Sequence, residues 1–447
     1  MEAPKIVVPH PGPETRKELE RLRKAESRAA LSFGMSPETV VVERAQGAVI
    51  EDVDGNLFLD FVSGFGSLNA GHCHPKVVSA MQRQAEQIHQ AMSLVSRTRN
   101  EFLEKVLSLH SGATPKSMIL GTSGSEAAEI ALKMARRATG RNEIVAFTGA
   151  FHGRTLGAVA LMGRKNQREG LGTLVPGIHH VPYPYPYRNP FGDGPEKCTE
   201  GTIRYINEFL ENPVSGWGDV AAVIIEPVQG NGGMIPAPIG FLKALREICD
   251  RYGVLLIIDE VMSGFCRTGK MFAYQYEDIE PDLIVMGKSI SGGLPLAACV
   301  AKKEIADASN PGTESSTYAG NVMACAAGLA SIEVYEEENL SERSLEMGSY
   351  FLRRLEELSE RHSIVGEVRG RGLMIAAELV SDRATREPLS VAKKASDMSL
   401  KKGLLIYPGG HHGNVLAFLP PLIINKAQVD TAVGILDEVL LELDVQQ

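Results

Sequence analysis

Short apolar runs alternate with longer segments of helix-forming composition through the middle of the chain. Runs in which polar residues do not alternate with apolar ones are typical of strands buried on both faces, as in a parallel sheet covered by helices. The pattern therefore predicts an α/β fold with a mostly parallel sheet. The runs, all after about residue 100, are Ser117–Leu120, Ile144–Phe147, Ala221–Ile225, Val254–Ile258 and Leu283–Met286.

The segments around these runs also carry clear patterns. Val49–Phe61 is predicted to form a hairpin, because two apolar stretches flank the turn sequence Asp54-Gly55-Asn56. Helices are predicted for Ser125–Ala138 and Gly240–Tyr252, between the strands. After about residue 325 a long helix with charged faces begins, and a small α+β segment follows from Val365 to the end.

Composition narrows the class of protein without indicating an activity. The chain has 447 residues, of which 44% are hydrophobic and 23% charged, as is ordinary for a globular protein with a large core. Its formal net charge of −9 disfavours binding to nucleic acid or to a membrane surface, because both need a basic face. The longest apolar runs are far shorter than the ~20 residues of a membrane helix.

Six cysteines are scattered along the chain, and none forms a C-x-x-C pair. This spacing predicts neither a zinc site nor a redox pair, so we expect no metal. The start of the chain, Met1–Pro13, lacks an apolar segment of signal-peptide length. We therefore expect a cytoplasmic protein whose thiols are reduced.

Two of the apolar runs lead directly into residues that can perform chemistry. Asp259 follows the run that ends at Ile258, and ligands of open α/β sheets bind at the carboxyl ends of strands. Asp259 could pair with a protonated pyridine nitrogen and keep the ring an electron sink, although acids at this position also cap the next element.

Lys288 follows Leu283–Met286 and precedes small residues and two glycines, which leave room for a ring. Its amine needs a lowered pKa to act as nucleophile and base.

Two further motifs follow strand ends. At Gly121–Ala128 a strand gives way to small residues and a helix start, where exposed N–H groups bind phosphate, although the same motif suits an ordinary helix cap. Phe151 could stack on a pyridine ring, and Arg154 could hold a substrate carboxylate with two hydrogen bonds. Each signal alone is moderate, but their coincidence in this order indicates one binding site.

Together these motifs resemble those of the class III aminotransferases, the fold-type I family that includes 4-aminobutyrate and ornithine aminotransferases. The resemblance runs from about Gly47 to Ile423 and is most specific over Ile257–Ala298. It implies a large domain with a seven-stranded, mostly parallel sheet. The implied domains are 71–325 for the large, cofactor-binding domain, with 1–70 and 326–447 as the two parts of a small α+β domain.

The resemblance also implies pyridoxal 5′-phosphate as the cofactor. Lys288 matches the lysine that holds this cofactor as a Schiff base, and Asp259 matches the partner of the pyridine nitrogen. Thr317 matches a threonine that reaches the phosphate from the neighbouring subunit, which implies a homodimer with shared active sites and leaves a tetramer open. The other matched positions are the phosphate-binding pair Gly124 and Ser125, the ring-flanking Phe151 and Val261, the cofactor-proximal acid Glu226 and the substrate-pocket residue Phe65.

The activity that the resemblance implies is transfer of an amino group from an amine or amino acid to a 2-oxo acid. In this reaction the freed Lys288 moves a proton from the substrate carbon to the cofactor.

Two positions depart from the glutamate-using members of the family. Ala417 stands where those members have the arginine that binds the α-carboxylate, and Asn231 stands where they have the glutamate that pairs with it. Losing both partners together avoids a buried unpaired charge.

Two interpretations of these departures remain open. Another cation could take the carboxylate, with Arg154, His411 and His412 as candidates. Alternatively, the substrate lacks the usual α-carboxylate geometry, as does an amine or an amino acid bound through a single carboxylate. An amino-acid racemase or epimerase is the main rival activity, and a decarboxylase is a further one. Asn231 favours transamination, because related racemases carry an aspartate there that helps to move the proton.

Overall fold

The computed structural model describes residues 2–30, 38–92, 94–192 and 194–444. The chain forms two compact units, one from Met1–Pro75 with Glu342–Gln447 and one from Lys76–Ser341. It thus passes between the units after residues 75 and 341. The domain bounds that the resemblance implies, after residues 70 and 325, stay a prediction. The helix Val322–Glu337 packs within the second unit, against the helix Arg97–Ser108.

A seven-stranded sheet forms the centre of the Lys76–Ser341 unit. Its strands share one direction except Ala297–Lys302, which runs antiparallel to both of its neighbours. The five apolar runs all fall in strands of this sheet, which confirms the predicted mostly parallel α/β fold. The pattern did not single out Ile178–Val181 or Ala297–Lys302. The strand order is Lys116–Gly121, Ala297–Lys302, Leu283–Met286, Leu255–Asp259, Val220–Ile225, Glu143–Phe147 and Ile178–Val181.

An alanine-rich helix, Gly124–Thr139, packs against the strands of this sheet. It begins after Ser123, whose Oγ accepts a hydrogen bond from the Glu126 backbone N–H at 3.2 Å. It ends at Gly140, which adopts the left-handed conformation common at helix ends, with φ at 68°. Small side chains on its buried face let the helix backbone approach the sheet closely, namely those of Ala127, Ala128, Ala131 and Ala135.

Further short elements complete this part of the chain. The other α-helices between residues 75 and 341 are Pro75–Ala85, Arg97–Ser108, Leu156–Leu161, Lys165–Arg168, Pro195–Glu211, Phe241–Tyr252, Lys303–Ala306 and Val322–Glu337. Short 3-10 turns occur at Pro186–Arg188, Ala273–Tyr276 and Lys288–Ser291, and Val228–Gln229 pairs with Ile235–Pro236. No helix in the described ranges has both the length and the apolar character needed to span a membrane.

The other unit contains two sheets. Val49–Asp52 and Leu57–Asp60 pair antiparallel around the predicted turn, which confirms the hairpin. Val42–Gln46 and Leu404–Leu405 extend this pair to four strands. The second sheet consists of Val365–Arg371, Met374–Asp382, Glu387–Pro388, Tyr407–Gly409 and Val415–Phe418. The helices of this part of the chain are Pro13–Ala25, Ser63–Gly66, Leu340–Arg361, Ala392–Lys401 and Lys426–Asp444.

Gly328 shows how closely the helix Val322–Glu337 packs against the 3-10 turn that begins at Lys288. A Cβ at position 328 would lie 2.6 Å from Phe102 Cε2 and 2.7 Å from the Ile290 carbonyl oxygen. We expect Gly328→Ala to destabilise the protein by about 1–3 kcal/mol, because overpacking displaces the neighbours. Thermal unfolding, followed by circular dichroism, should show a lowered melting temperature.

Gly434→Ala is the matched control for that change. Gly434 is exposed in the helix Lys426–Asp444, and a Cβ there would meet no heavy atom within 4 Å. Its melting temperature should stay the same or rise, since alanine is the better helix former. An equal fall in both variants would contradict close packing around Gly328.

Candidate active site

A cavity of about 170 Å³ lies at the carboxyl ends of five strands of the Lys76–Ser341 unit. Ligands of open α/β sheets bind at such a place, because strand ends and helix starts converge there. Eight residues that the sequence singled out line the cavity, and four further residues complete the lining. The first group is Gly124, Ser125, Phe151, Glu226, Asn231, Asp259, Val261 and Lys288, and the second is His152, Gly153, Val228 and Met262.

Lys288 projects from a strained turn. The strand Leu283–Met286 ends just before it, and Lys288 itself has φ at 48°, a left-handed value that is unfavourable for a residue with a side chain. Tyr335 Oη donates a 2.7 Å hydrogen bond to the Ser289 carbonyl oxygen and so helps to hold the turn. Backbone strain of this kind is typical of functional sites, where the surrounding structure maintains it.

The amine of Lys288 is poised for proton transfer. Burial lowers the pKa of this amine from its ordinary value of 10.5 to about 8, and the guanidinium of Arg267 adds to the lowering. The carboxylates of Asp259 and Glu226 act in the opposite direction. An amine with this pKa is neutral in a useful fraction of molecules near neutral pH, so it can accept a proton or attack an electrophile.

Asp259 is buried and held by two hydrogen bonds. His152 Nδ1 lies 2.7 Å from Asp259 Oδ2, and the Val261 backbone N–H donates to Asp259 Oδ1 over 2.9 Å. Burial alone would lower the pKa of His152, but the carboxylates of Asp259 and Glu226 outweigh burial, so this pKa is raised. The two side chains thus form a buried, hydrogen-bonded pair that holds the carboxyl group of Asp259 in place.

His152 is a site residue that sequence reasoning missed. The sequence shows only that His152 is next to Phe151, just after the end of a strand. The other residues of that turn also follow the strand end, so this position does not distinguish His152 from them. Its partner Asp259 is 107 residues away along the chain, so no local pattern links the two side chains.

Glu226 supplies a second buried acid. Burial raises the pKa of its carboxyl group to about 7, against the opposing charge of His152. Glu226 Oε1 accepts a 3.4 Å hydrogen bond from the Phe151 backbone N–H, and Oε2 has no hydrogen-bond partner among the described residues. The side chain can therefore hold or release a proton near neutral pH, and a bound ligand could satisfy its unpaired oxygen.

The helix start at Gly124 and Ser125 forms part of the wall of the cavity. The first backbone N–H groups of a helix have no carbonyl partner within it, which makes this end an anion-binding site. Ser125 Oγ accepts a 3.0 Å hydrogen bond from the Arg154 backbone N–H. A Cβ on Gly124 would lie 3.0 Å from Val261 Cγ1, and a Cβ on Gly153 would lie 2.6 Å from Ser125 Cα. Glycine at both positions therefore lets these segments meet.

The residues that line the cavity fit pyridoxal phosphate, the cofactor that the sequence resemblance implies. The carboxyl group of Asp259, held in place by His152, suits a protonated pyridine nitrogen. The helix start at Gly124 suits a phosphate, and Lys288 provides the amine for covalent attachment. The unpartnered, buried Oε2 of Glu226 is the kind of polar atom that a bound ligand satisfies.

Two predicted site residues of the same unit lie outside the cavity lining. Arg154 is exposed, and its Cζ atom lies 5.3 Å from the centre of the Phe151 ring. Its guanidinium forms no ion pair or hydrogen bond within the described part of the chain, so it is available to a carboxylate. Thr317 is also exposed, and its carbonyl oxygen accepts a 2.7 Å hydrogen bond from Gln90 Nε2.

Phe65 belongs to the other unit and sits in a left-handed turn. Ser63, Gly64, Phe65 and Gly66 all have positive φ values, at 43°, 60°, 58° and 75°. Ser63 Oγ fixes this turn by donating a 2.5 Å hydrogen bond to the carbonyl oxygen of Leu419. Left-handed residues other than glycine are costly, so the turn holds Phe65 in place at the expense of backbone strain.

Ala417 lies near the same turn, on a face with aromatic neighbours. Tyr407 pairs directly with Ala417 across two antiparallel strands, so their side chains share one face of the sheet. The Tyr407 ring meets the Phe65 ring edge to face, with centroids 5.3 Å apart. Sequence reasoning did not single out Tyr407. The candidate cations His411 and His412 are exposed on the turn that follows this strand.

Comparison with known proteins assigns the chain to one family. A family model described as aminotransferase class-III matches residues 32–440. The diaminobutyrate–2-oxoglutarate aminotransferase of Haemophilus influenzae is 38% identical over 397 residues, which cover 87% of each chain. The alanine/serine racemase of Pyrococcus horikoshii is 36% identical over 449 residues, covering 98% of this chain and 93% of the racemase.

A solved structure with the same architecture supports the comparison. An amine transaminase from an uncultivated Pseudomonas species, in its PLP-bound form, superposes with a TM-score of 0.85 and 32% identity. The match covers 94% of this chain and 97% of the transaminase. The likeness therefore extends over both units of the chain.

The lowered pKa of Lys288 gives a prediction for cofactor attachment. Below about pH 8 the Lys288 amine is mostly protonated and cannot attack an aldehyde, whereas above it the amine is mostly neutral. The rate at which apoenzyme gains the visible absorbance of lysine-linked pyridoxal phosphate should therefore rise with pH, with a midpoint near 8. A midpoint near 10.5, the ordinary value, would contradict the burial of this amine.

Proposed function

The chain belongs to the class III aminotransferase family, and we propose that it moves an amino group from an amine or ω-amino acid to a 2-oxo acid, with Lys288 as the Schiff-base lysine. Its cofactor is pyridoxal phosphate. The assignment of roles to the residues of the site rests on one observation. A lysine of lowered pKa, a buried carboxyl group paired with a histidine and a helix start that can bind phosphate line one cavity.

The proposed cofactor contacts follow from the lining of the cavity. Gly124 and Ser125 hold the phosphate through backbone N–H groups and the serine hydroxyl. Phe151 and Val261 flank the ring on its two faces. Asp259 pairs with the ring nitrogen, and His152 is a positioning residue that acts through Asp259 by holding its carboxyl group in place.

The proposed chemistry assigns a proton-moving role to two side chains. When bound, the cofactor supplies an electron-withdrawing ring that stabilises negative charge on the substrate carbon. Lys288 Nζ removes the proton from that carbon, for which a pKa of about 8 suits it. Glu226, with a pKa of about 7, lies close enough to influence the charge of Lys288 and can exchange a proton in the same cavity.

We propose a donor that does not need the α-carboxylate clamp of glutamate-using relatives. Phe65 and Ala417 are the proposed substrate-binding residues of their unit, where Tyr407 contacts Phe65 and pairs with Ala417. Arg154 is the available cation for a single carboxylate at the far end of an ω-amino acid. Asn231 lines the cavity at the position where related racemases carry a proton-moving aspartate. Its amide cannot act as that base, which supports transamination over racemisation.

A homodimer is the proposed assembly. Large apolar side chains are exposed at Met92, Leu94, Val95 and Tyr318, with exposed fractions of 57%, 69%, 80% and 66%. Asn321 Nδ2 donates a 3.0 Å hydrogen bond to the His89 carbonyl oxygen, which ties the two segments that carry these side chains together. An apolar surface of this kind is typical of a protein interface, and Thr317 lies within it. This position supports Thr317 as the residue that reaches the partner's phosphate site.

The cytoplasm is the proposed location. All six cysteines are unpaired, and Cys73 is exposed. Reduced thiols of this kind are common in a reducing compartment, where disulfides do not form.

The reaction itself can be tested with single-enantiomer donors. Purified enzyme should transfer the amino group to pyruvate or 2-oxoglutarate, and it should leave the donor unchanged when no oxo acid is added. Lys288→Ala should lose both this activity and the visible absorbance of the lysine-linked cofactor, because no other residue is proposed to form the link. Lys197→Ala, at an exposed lysine, is the control. Racemisation without an oxo acid would identify a racemase, and carbon dioxide release would identify a decarboxylase.

Arg154→Gln tests how the donor is recognised. We expect kcat/KM for 5-aminovalerate to fall about tenfold or more, mainly through KM, because a charge-assisted hydrogen bond to its carboxylate is lost. The value for 1-phenylethylamine, which has no carboxylate, should stay unchanged. An equal fall for both donors would instead assign Arg154 a structural role through its stacking on Phe151.

A further inference from the structure

The left-handed turn that carries Phe65 is held by a buried carboxyl group from the strand before it. Asp60 is the last residue of the strand Leu57–Asp60. Its Oδ1 atom accepts hydrogen bonds from the backbone N–H groups of Val62 and Ser63, each 2.8 Å long. An aspartate that accepts from backbone groups two and three residues later favours a turn. Asp60 therefore fixes the backbone at the point where the positive φ values begin.

His72 holds the other carboxyl oxygen of Asp60. Its Nε2 atom lies 2.7 Å from Asp60 Oδ2, and the imidazole is partly exposed. The backbone of His72 is also fixed. Its N–H donates to the Gly47 carbonyl oxygen over 2.8 Å, and its carbonyl oxygen accepts from the Gly47 N–H over 2.9 Å. His72 therefore orients the carboxyl group of Asp60 from a fixed position outside the turn.

The same turn is fastened to the segment that follows Ala417. The backbone N–H of Leu419 donates a 2.8 Å hydrogen bond to the Phe61 carbonyl oxygen. In return, Ser63 Oγ donates a 2.5 Å hydrogen bond to the Leu419 carbonyl oxygen. The two residues proposed to bind the substrate in this unit, Phe65 and Ala417, therefore belong to one hydrogen-bonded frame.

The backbone of the turn would relax if this support were removed. A side chain in the left-handed region is unfavourable, because its Cβ lies too close to a backbone carbonyl oxygen. Gly64 and Gly66 flank Phe65, and glycine readily adopts other backbone angles. Without the hydrogen bonds to Asp60, rotation at these glycines would move the Phe65 ring away from Tyr407, whose centroid lies 5.3 Å from it.

We propose that Asp60 and His72 are positioning residues for donor recognition and act through Phe65. Their hydrogen-bonded pair holds the turn, and the turn holds the Phe65 ring against Tyr407, the cross-strand partner of Ala417. This role rests on the proposed function, because only there is Phe65 a substrate-binding residue. A donor with a bulky aryl group depends on this aromatic wall, since contact energy is lost quickly when a gap opens.

The position of the Phe65 side chain can be followed without any reaction. Trp217 is the single tryptophan of the chain, so Phe65→Trp in a Trp217→Phe background introduces one fluorescent reporter into the turn. Adding His72→Ala should shift its emission to longer wavelength and strengthen quenching by acrylamide, because the side chain leaves its packed position. Adding His72→Gln instead should leave both unchanged, since a glutamine amide can replace the imidazole as the donor to Asp60.

A double-mutant cycle tests the effect on recognition. His72→Ala should raise the KM for 1-phenylethylamine about tenfold and leave kcat nearly unchanged, because ground-state and transition-state binding are lost equally. When Phe65→Ala is already present, adding His72→Ala should have no further effect, since the ring through which His72 acts is gone. His72→Gln should restore the wild-type KM. A merely structural role of His72 would lower activity by the same factor with and without Phe65→Ala.

Arg44→Ala is the matched control. Arg44 is an exposed residue of the strand Val42–Gln46 in the same four-stranded sheet, and its Nε atom forms a 2.8 Å ion pair with Glu51. Losing this pair should change neither the reporter nor the KM. An unchanged reporter in His72→Ala, or an additive cycle, would refute the positioning role. A wild type that transfers no amino group would refute the proposed function instead, and the reporter would still test the turn.

Discussion

The candidate site depends on bringing a lysine, a histidine and two carboxyl groups together in one cavity. Each of these charges would be costly alone inside the protein, because burial removes the water that stabilises it. Here they compensate one another. His152 pairs with Asp259, and burial moves the pKa values of Lys288 and Glu226 to about 8 and about 7. Charges that are costly to bury thus become groups that exchange protons near neutral pH.

The fold serves this arrangement by bringing strand ends together. Five parallel strands finish at the same edge of the sheet, so residues from five distant segments reach one place. The close approach of these segments to one another then depends on glycines. Gly124 leaves room for Val261, and Gly153 leaves room for Ser125. The strained backbone of Lys288 is maintained because its turn packs against a helix and accepts a hydrogen bond from Tyr335.

The side chains proposed to select the substrate lie in separate parts of the chain. Asn231 lines the reaction cavity, whereas Phe65, Tyr407 and Ala417 lie together in the other unit. Arg154 is exposed, and its guanidinium forms no ion pair or hydrogen bond with the described residues. It is therefore accessible to an anion. The family includes relatives named as aminotransferases and as a racemase, so selectivity among reactions depends on such side chains rather than on the fold.

The sequence by itself determined the fold class, the family and eight of the cavity residues. These features can be recognised locally, because each of them is a run of adjacent residues. One apolar strand ends in Asp259, and another is followed by a glycine and Lys288. Only the tertiary structure decided that His152 meets Asp259 and that Tyr407 stands opposite Ala417, since each contact joins segments that no local period relates. The same holds for the pKa values. The ionisation of Lys288 and Glu226 depends on how much water the folded chain excludes, and burial exists only once distant segments have packed together.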